Sequence, residues 1–196
     1  MIEKEPRWVL PGQEVEATAA RLIREQPMPP HFARMLAIRG IASIRDANAF
    51  IKPSLDDLRD PFLMKDMVKA VDRLKSAMSA GEHIMILGDY DVDGVCGTAL
   101  FYRVMTDLGV KVSYHVPDRF KEGYGVSKEA IDRAIDLGVK LVISVDSGIT
   151  AFAEAEYVRS KGIDFIITDH HEPQANMLPD AMAVLETAAV HVANAP

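Results

Sequence analysis

The sequence predicts an α/β protein, a doubly wound and mostly parallel sheet preceded by a small N-terminal helical unit. Three observations point there. After Gly81 short apolar runs alternate with helical patterns, each of those helical patterns is followed by a glycine, and acidic residues gather directly behind the apolar runs.

The elements follow in order. From Val15 to Gln26 apolar and small residues recur at helical spacing, and two more helical patterns lie around Ala33–Ile38 and Ile44–Ile51. The segment KPSLDDLRDPF, with Pro53 and Pro61, has no periodicity and reads as a connector. Asp66 is placed to cap a helix running through Met67, Val71, Leu74 and Met78 to Gly81. Four strands are then expected, HIMIL (His83–Leu87), VSYHV (Val112–Val116), LVISV (Leu141–Val145) and FIIT (Phe165–Thr168). The intervening helices span Gly94–Leu108, Ser127–Leu137 and Thr150–Lys161, stopped by Gly109, Gly138 and Gly162. The expected organisation is a helical region over 1–62, an α/β domain over 63–180 and a tail over 181–196.

Composition narrows the function. The chain has 196 residues, a single cysteine and a formal net charge of −7. One cysteine excludes an intrachain disulfide and a multi-thiolate zinc site, so a metal here would take oxygen and imidazole ligands. Cys96 itself reads as a small packing residue. No apolar stretch approaches the roughly 20 residues needed to span a bilayer and the amino terminus MIEKEPRW is no signal peptide, so a cytoplasmic protein without a membrane partner is expected. The acidic balance argues against nucleic acid only if the carboxylates stay bare, because bound divalent cations reverse the local field.

Those carboxylates are concentrated. HIMIL runs into GDYDVDG, LVISV into Asp146-Ser147-Gly148 and FIIT into Asp169-His170-His171. In a doubly wound sheet all three lie at the carboxyl edge, where ligands bind. Asp89, Asp91, Asp93, Asp146 and Asp169 would meet there, and each pair of like charges about 4 Å apart repels by roughly 1 kcal/mol in water and about 4 kcal/mol near a protein surface. Two divalent cations would neutralise the cluster without acid pH. Carboxylate and imidazole without thiolate suit manganese or magnesium over zinc, and the histidines favour manganese. Each motif alone has a plainer reading, as a solvated acidic turn, a helix cap or a surface histidine pair; their shared edge is what argues for a site. Gly94 and Gly97 would let backbone N–H groups approach a phosphate at a helix N-terminus, or else serve helix–sheet packing.

A second stretch, VPDRFKEGYGVSKE (Val116–Glu129), carries recognition chemistry. Arg119, Lys121 and Lys128 can contact phosphates, and Phe120 and Tyr124 offer stacking surfaces worth about 1–3 kcal/mol per base. Gly123 and Gly125 let the loop bend, and Ser127 reads as a helix cap. Beside a metal cluster, this loop makes single-stranded nucleic acid the natural partner. His83 and His115 lie within strands and read as structural, and Trp8 reads as an apolar anchor for the N-terminal arm.

DYDVDG, VDSG and DHH, in this order on strand ends, resemble the first three motifs of the DHH phosphoesterase superfamily, and RFKEGYG between the first two resembles its RecJ branch of single-strand-specific exonucleases. The likeness runs from PRWVLP to about Pro179. It implies a two-manganese or two-magnesium nuclease that degrades single-stranded DNA from the 5′ end, releasing mononucleotides in DNA repair and recombination. It also implies that Asp91, Asp93, Asp146 and His170 ligate metal with Asp89 as a further ligand, that Asp169 orients His170, and that His171 contacts the scissile phosphate. Family members carry a fourth motif and a DHH-associated domain, and neither is visible in this sequence. The resemblance therefore implies an incomplete domain, a divergent or truncated tail, and weak or no activity for the chain alone. Two other readings are a non-catalytic DHH-fold module that binds nucleic acid or serves as a scaffold, and a phosphodiesterase acting on short oligonucleotides or cyclic dinucleotides.

Overall fold

The computed structural model describes residues 9–174 and 177–186 and divides the chain into two compact units, Met1–Arg59 and Asp60–Pro196. The expectation for Trp8 and the last ten residues of the predicted tail lie outside the described residues.

The first unit is helical. Helices α1 (Gln13–Glu25), α2 (Pro30–Ile38) and α3 (Ile44–Ile51) bury Ala19, Leu22, Ala33, Leu36, Ala37 and Ala47 against one another. Pro30 opens α2, where its missing N–H costs nothing, and Ser43 caps α3 by accepting the Asp46 N–H at 3.1 Å. The Arg21 guanidinium donates to the Ala42 carbonyl at 2.8 Å and ties α1 to the turn before α3.

The second unit is an all-parallel five-stranded sheet in the order β2-β1-β3-β4-β5, made of β1 (Ile84–Leu87), β2 (Val112–His115), β3 (Leu141–Val145), β4 (Asp164–Asp169) and β5 (Ala183–Glu186). Helices α4 (Met67–Ser79), α5 (Val92–Asp107), α6 (Lys128–Asp136) and α7 (Phe152–Ser160) flank it. The near-continuous apolar runs of the inner strands are what burial on both faces demands. Side chains alternate between two cores: Ile84, Leu141, Ile143, Ile166 and Leu185 pack with Ala70 and Ala77 of α4 and Phe101 of α5. Met85, Leu87, Val142, Phe165, Ile167 and Val184 pack with Ile131 of α6 and Val158 of α7. This is the doubly wound arrangement, and its strand order reverses between β1 and β3, where such sheets open a crevice. Among the described residues no helix is long and apolar enough to cross a membrane.

Four readings change. Among the described residues five strands form rather than four: β5 lies in the segment read as a tail and pairs with β4 from Ile166↔Ala183 to Asp169↔Glu186. Asp66 precedes α4 but does not cap it through its side chain; its backbone is left-handed (φ 58°), and its carboxylate instead accepts the Val184 N–H at 3.3 Å, tying α4 to β5. Helix α5 starts at Val92 rather than Gly94, because the Asp91 carboxylate accepts the Gly94 N–H at 3.0 Å and so ends the loop earlier. Cys96 is exposed rather than packed.

Ile143, on the central strand and 2 % exposed, is a stringent test of this core. Ile143→Ala is expected to lower unfolding free energy by about 2–5 kcal/mol in urea titration, whereas Leu100→Ala, on an exposed stretch of α5, is expected to change it by less than ~0.5 kcal/mol.

Candidate metal and phosphoester site

Parallel register fixes which residues can meet. Leu87 pairs with Ser144, Ser144 with Ile167, and Val145 with Thr168, so the residues that leave β1 and β3 and the last residue of β4 emerge on one edge. Asp89, Asp146 and Asp169 follow from that alignment, and all three are buried.

Local backbone chemistry aims each of them. After β3 the chain turns sharply: Asp146 adopts φ 62°, Gly148 adopts φ 110°, and the Ser144 hydroxyl donates to the Ser147 carbonyl at 2.7 Å. Asp tolerates the left-handed region better than most residues, and only Gly fits at 148, where a Cβ would stand 2.8 Å from the Ser144 Oγ. The Asp146 N–H stays bonded to the Thr168 carbonyl at 2.9 Å, so the turn remains stitched to β4.

Asp169 is the hub of the third motif. Its Oδ1 accepts the N–H groups of His170 (2.8 Å) and His171 (3.1 Å) and lies 2.7 Å from the His171 Nδ1, while Oδ2 accepts the Ile149 N–H at 2.9 Å. With its Nδ1 proton given to Asp169, the His171 ring turns its Nε2 lone pair outward, 3.4 Å from the Tyr124 hydroxyl. His170 lies with its Nε2 3.0 Å from Asp146 Oδ1. One donor atom each from Asp146, His170 and His171 falls within 4.8 Å of the others, spacing that a single cation could bridge. Asp93, Asp146, Asp169 and His170 line one open cleft of about 510 Å³ with Met64, Met67, Thr168 and Leu185.

The electrostatics record the crowding. Burial, then the charge of Asp91, push the Asp146 carboxyl above the ordinary range, partly offset by His170 and His171. Burial also raises Asp89, with Asp91 and Asp169 adding to it. Asp91 is held below the ordinary range, first by the Gly94 N–H and against the effect of burial, with contacts from the Asp93 N–H and the Asp146 side chain assisting. His171 is raised by its bond to Asp169. Tyr124 is pushed up to about 12 by burial and by the fields of Asp89, Asp169, Asp146 and Asp91, so its phenol stays protonated. Asp89 is 1 % exposed and its Oδ1 has no hydrogen-bond partner among the described residues, an arrangement that is costly without a cation or water. Oxygen and imidazole donors, an orphaned carboxylate oxygen and no thiolate fit a hard divalent ion.

The sequence matches the family described as DHH family, N-terminal domain, over residues 83–193, more than half of the chain. The chain belongs to the DHH family. Among curated proteins it is 40% identical over 186 residues to the single-stranded-DNA-specific exonuclease RecJ of Bacillus subtilis, covering 94% of this chain and 23% of that protein. Against the RecJ of Escherichia coli it is 38% identical over 159 residues, covering 81% of this chain and 27% of that one. The chain thus spans about a quarter of the length of these relatives. Among solved structures it resembles an exonuclease RecJ bound to manganese (34% identity, TM-score 0.61, 67% of this chain and 33% of that one). It also resembles RecJ of Thermus thermophilus in complex with Mn2+ (27% identity, TM-score 0.63, 93% and 24%).

Within this DHH-family domain the acidic and histidine residues singled out from sequence converge, and the loop residues divide. Tyr124 reaches His171, with ring centroids 6.1 Å apart, and it also stands edge-on to Tyr90 at 6.1 Å. The Arg119 guanidinium lies 5.3 Å from the Tyr90 ring centroid, so the loop is bound to the first acidic motif by a cation–π contact. Tyr90 was not singled out; its place between Asp89 and Asp91 was the available signal. Phe120 is 96 % exposed, and Lys121 lies 3.7 Å from Asp118 at the surface. Lys128 is exposed at the start of α6, with its ammonium 5.4 Å from the Tyr157 ring centroid.

Two assignments are corrected. Asp169 orients the His171 ring rather than that of His170, because Oδ1, which accepts the backbone N–H groups of both histidines, lies 2.7 Å from the His171 Nδ1. Gly94 and Gly97 serve close packing: the Gly94 N–H is occupied by Asp91, and a Cβ there would lie 2.6–2.7 Å from Asp89 backbone atoms, while one at Gly97 would lie 2.7 Å from Val145 Cγ1.

Gly94→Ala separates packing from propensity. Helix propensity alone favours the alanine by about 1 kcal/mol. The contact with the Asp89 backbone is expected to reverse that sign and lower stability by about 1–3 kcal/mol in thermal unfolding of the metal-free protein.

Proposed function

We propose that this chain carries the metal-binding core of a RecJ-type exonuclease, which hydrolyses phosphodiester bonds of single-stranded DNA in the 5′ to 3′ direction with manganese or magnesium. The reading includes a cytoplasmic role in DNA repair and recombination, with the helical region 1–62 preceding the DHH domain. The observation that carries it is the meeting of Asp146, His170 and His171 donor atoms beside the unpaired Asp89 Oδ1. The printed names of the relatives, single-stranded-DNA-specific exonucleases, and the manganese in related structures support it.

In this reading Asp89, Asp91, Asp93, Asp146 and His170 hold two ions. Bound there, the ions would supply Lewis acidity toward the phosphoryl oxygens and lower the pKa of the attacking water. The protein's own groups do the rest. Asp169 fixes the His171 ring with Nε2 on the Tyr124 side, where a protonated Nε2 can donate to a phosphate oxygen. Tyr124, kept protonated by burial and then by the surrounding carboxylates, is a hydrogen-bond donor beside it. Arg119 brings a permanent positive charge to the rim, and Phe120 an exposed face for a base.

Calorimetric titration of the chain with Mn2+ is expected to give saturable binding and a stability gain of about 2.7 kcal/mol at a hundredfold excess over Kd. Asp146→Ala is expected to abolish both, and failure of the wild type to bind Mn2+ overturns the reading. A labelled single strand is expected to be retained in Mn2+ in preference to its duplex. Any release of mononucleotides from it is expected to require Mn2+ and to disappear in Asp91→Ala; equal affinity for the duplex removes single-strand specificity.

A further inference from the structure

The loop that carries Arg119 and Tyr124 contains one acidic side chain with no part in the reading above. Glu122 is turned inward, 16 % exposed, and three donors converge on it. Oε1 accepts the Asp118 N–H at 3.0 Å; Oε2 accepts the Ser127 hydroxyl at 3.1 Å and lies 2.7 Å from Nε2 of His115, itself 15 % exposed. Burial works against the Glu122 charge, but the Asp118 N–H and His115 outweigh it and hold the carboxyl below its ordinary range.

The partners are the two ends of the loop. His115 is the last residue of β2, and its carbonyl accepts the Gly88 N–H at 2.9 Å, one residue before Asp89. Ser127 caps α6 by accepting the Ala130 N–H at 3.1 Å, so its hydroxyl proton is free for Glu122. Immediately after Glu122, Gly123 (φ 82°) and Gly125 (φ 85°) enclose Tyr124 in left-handed backbone, which turns the phenol away from Glu122 and toward His171. One carboxylate therefore closes the loop on strand and helix, while Arg119 and Tyr124, three residues before it and two after, contact Tyr90 and His171.

We propose that Glu122, through His115 and Ser127, is a positioning residue that holds the recognition loop so that Arg119 and Tyr124 present to single-stranded nucleic acid beside the acidic cluster. The inference rests on the function proposed above. Loss of the clamp leaves the metal-binding groups in place and weakens the hold on the strand.

The test uses the chain itself, with amide hydrogen exchange over residues 118–127, Mn2+ affinity by calorimetry, and affinity for a fluorescent oligothymidylate in Mn2+ by anisotropy. Glu122→Ala, which removes a charged acceptor from three donors, is expected to speed loop exchange and raise the oligothymidylate Kd by about tenfold or more, with Mn2+ affinity unchanged. His115→Gln, which keeps a donor near the Nε2 position, is expected to behave as wild type, and His115→Leu to follow Glu122→Ala. Should Glu122→Ala not fold, the His115 pair carries the same comparison. Unchanged loop exchange overturns the proposal, as does a loosened loop with unchanged oligothymidylate affinity, or a loss of Mn2+ affinity equal to the loss for the strand. Failure of the wild-type chain to bind the oligothymidylate defeats the function reading and this inference with it, and is told apart because it appears before any substitution is made.

Discussion

Asp169 ends β4 with its carboxylate almost out of solvent, and the donors that reach it come from two separate stretches of chain: the Ile149 N–H from the turn after β3, and two backbone N–H groups and a ring nitrogen from the histidine pair. A buried carboxylate satisfied in this way is rigid, because moving it strands several donors at about 1–3 kcal/mol each. The turn bearing Asp146 and the segment bearing His170 and His171 are thereby locked to one anchor. That lock joins the ends of β3 and β4 in one site. The parallel register brings the motifs to the same edge, but only a shared hydrogen-bonding centre sets the side chains within ligand distance of each other.

The same edge accumulates charge: among the described residues no lysine or arginine forms an ion pair with Asp89, Asp91, Asp93, Asp146 or Asp169, and the partners of Asp146 and Asp169 are histidines. Asp89 is buried with one oxygen unpaired, Asp146 is forced toward its protonated form by burial and by Asp91, and the field extends to the Tyr124 phenol. Native proteins tolerate such unsatisfied groups where a ligand completes them. Without one, burial and repulsion raise the free energy of the folded state, so a cation that binds here also contributes to folding. The acidic motif of β1 is packed tightly for the same end: Gly94 and Gly97 let α5 press against the Asp89 backbone and Val145, leaving little freedom for the loop to relax away from its neighbours.

Much of this was legible in the sequence because it rests on local pattern. Buried parallel strands read as apolar runs, IMIL and LVISV among them, and the acidic groups stand directly after them in the chain. The illegible parts depend on contacts between distant residues. AVLE of β5 is as short as IMIL but follows no helical pattern, so the strand–helix rhythm does not mark it; it pairs with the parallel edge of β4. Asp66 has the residue type and position of a helix cap, yet its carboxylate serves Val184, 118 positions away. Which histidine Asp169 orients is decided by backbone geometry within three residues, and the sequence pattern DHH treats the two rings alike.

A chain with net charge −7 is an unpromising partner for a polyanion until charge is located rather than summed. The carboxylates are directed inward to one edge, where captured cations reverse their effect on a phosphate. The basic and aromatic groups of the Val116–Ser127 loop stand at the rim of that edge, joined to it through the Arg119–Tyr90 and Tyr124–His171 contacts. Glu122 shows the division most clearly. It is the acidic residue in the middle of RFKEGYG, and facing the cleft it would repel a phosphate; turned inward, it is neutralised by three donors and gives the loop its shape. Whether a carboxylate hinders or supports anion recognition here thus depends on the side of the backbone it occupies, and the left-handed glycines after Glu122 set that side.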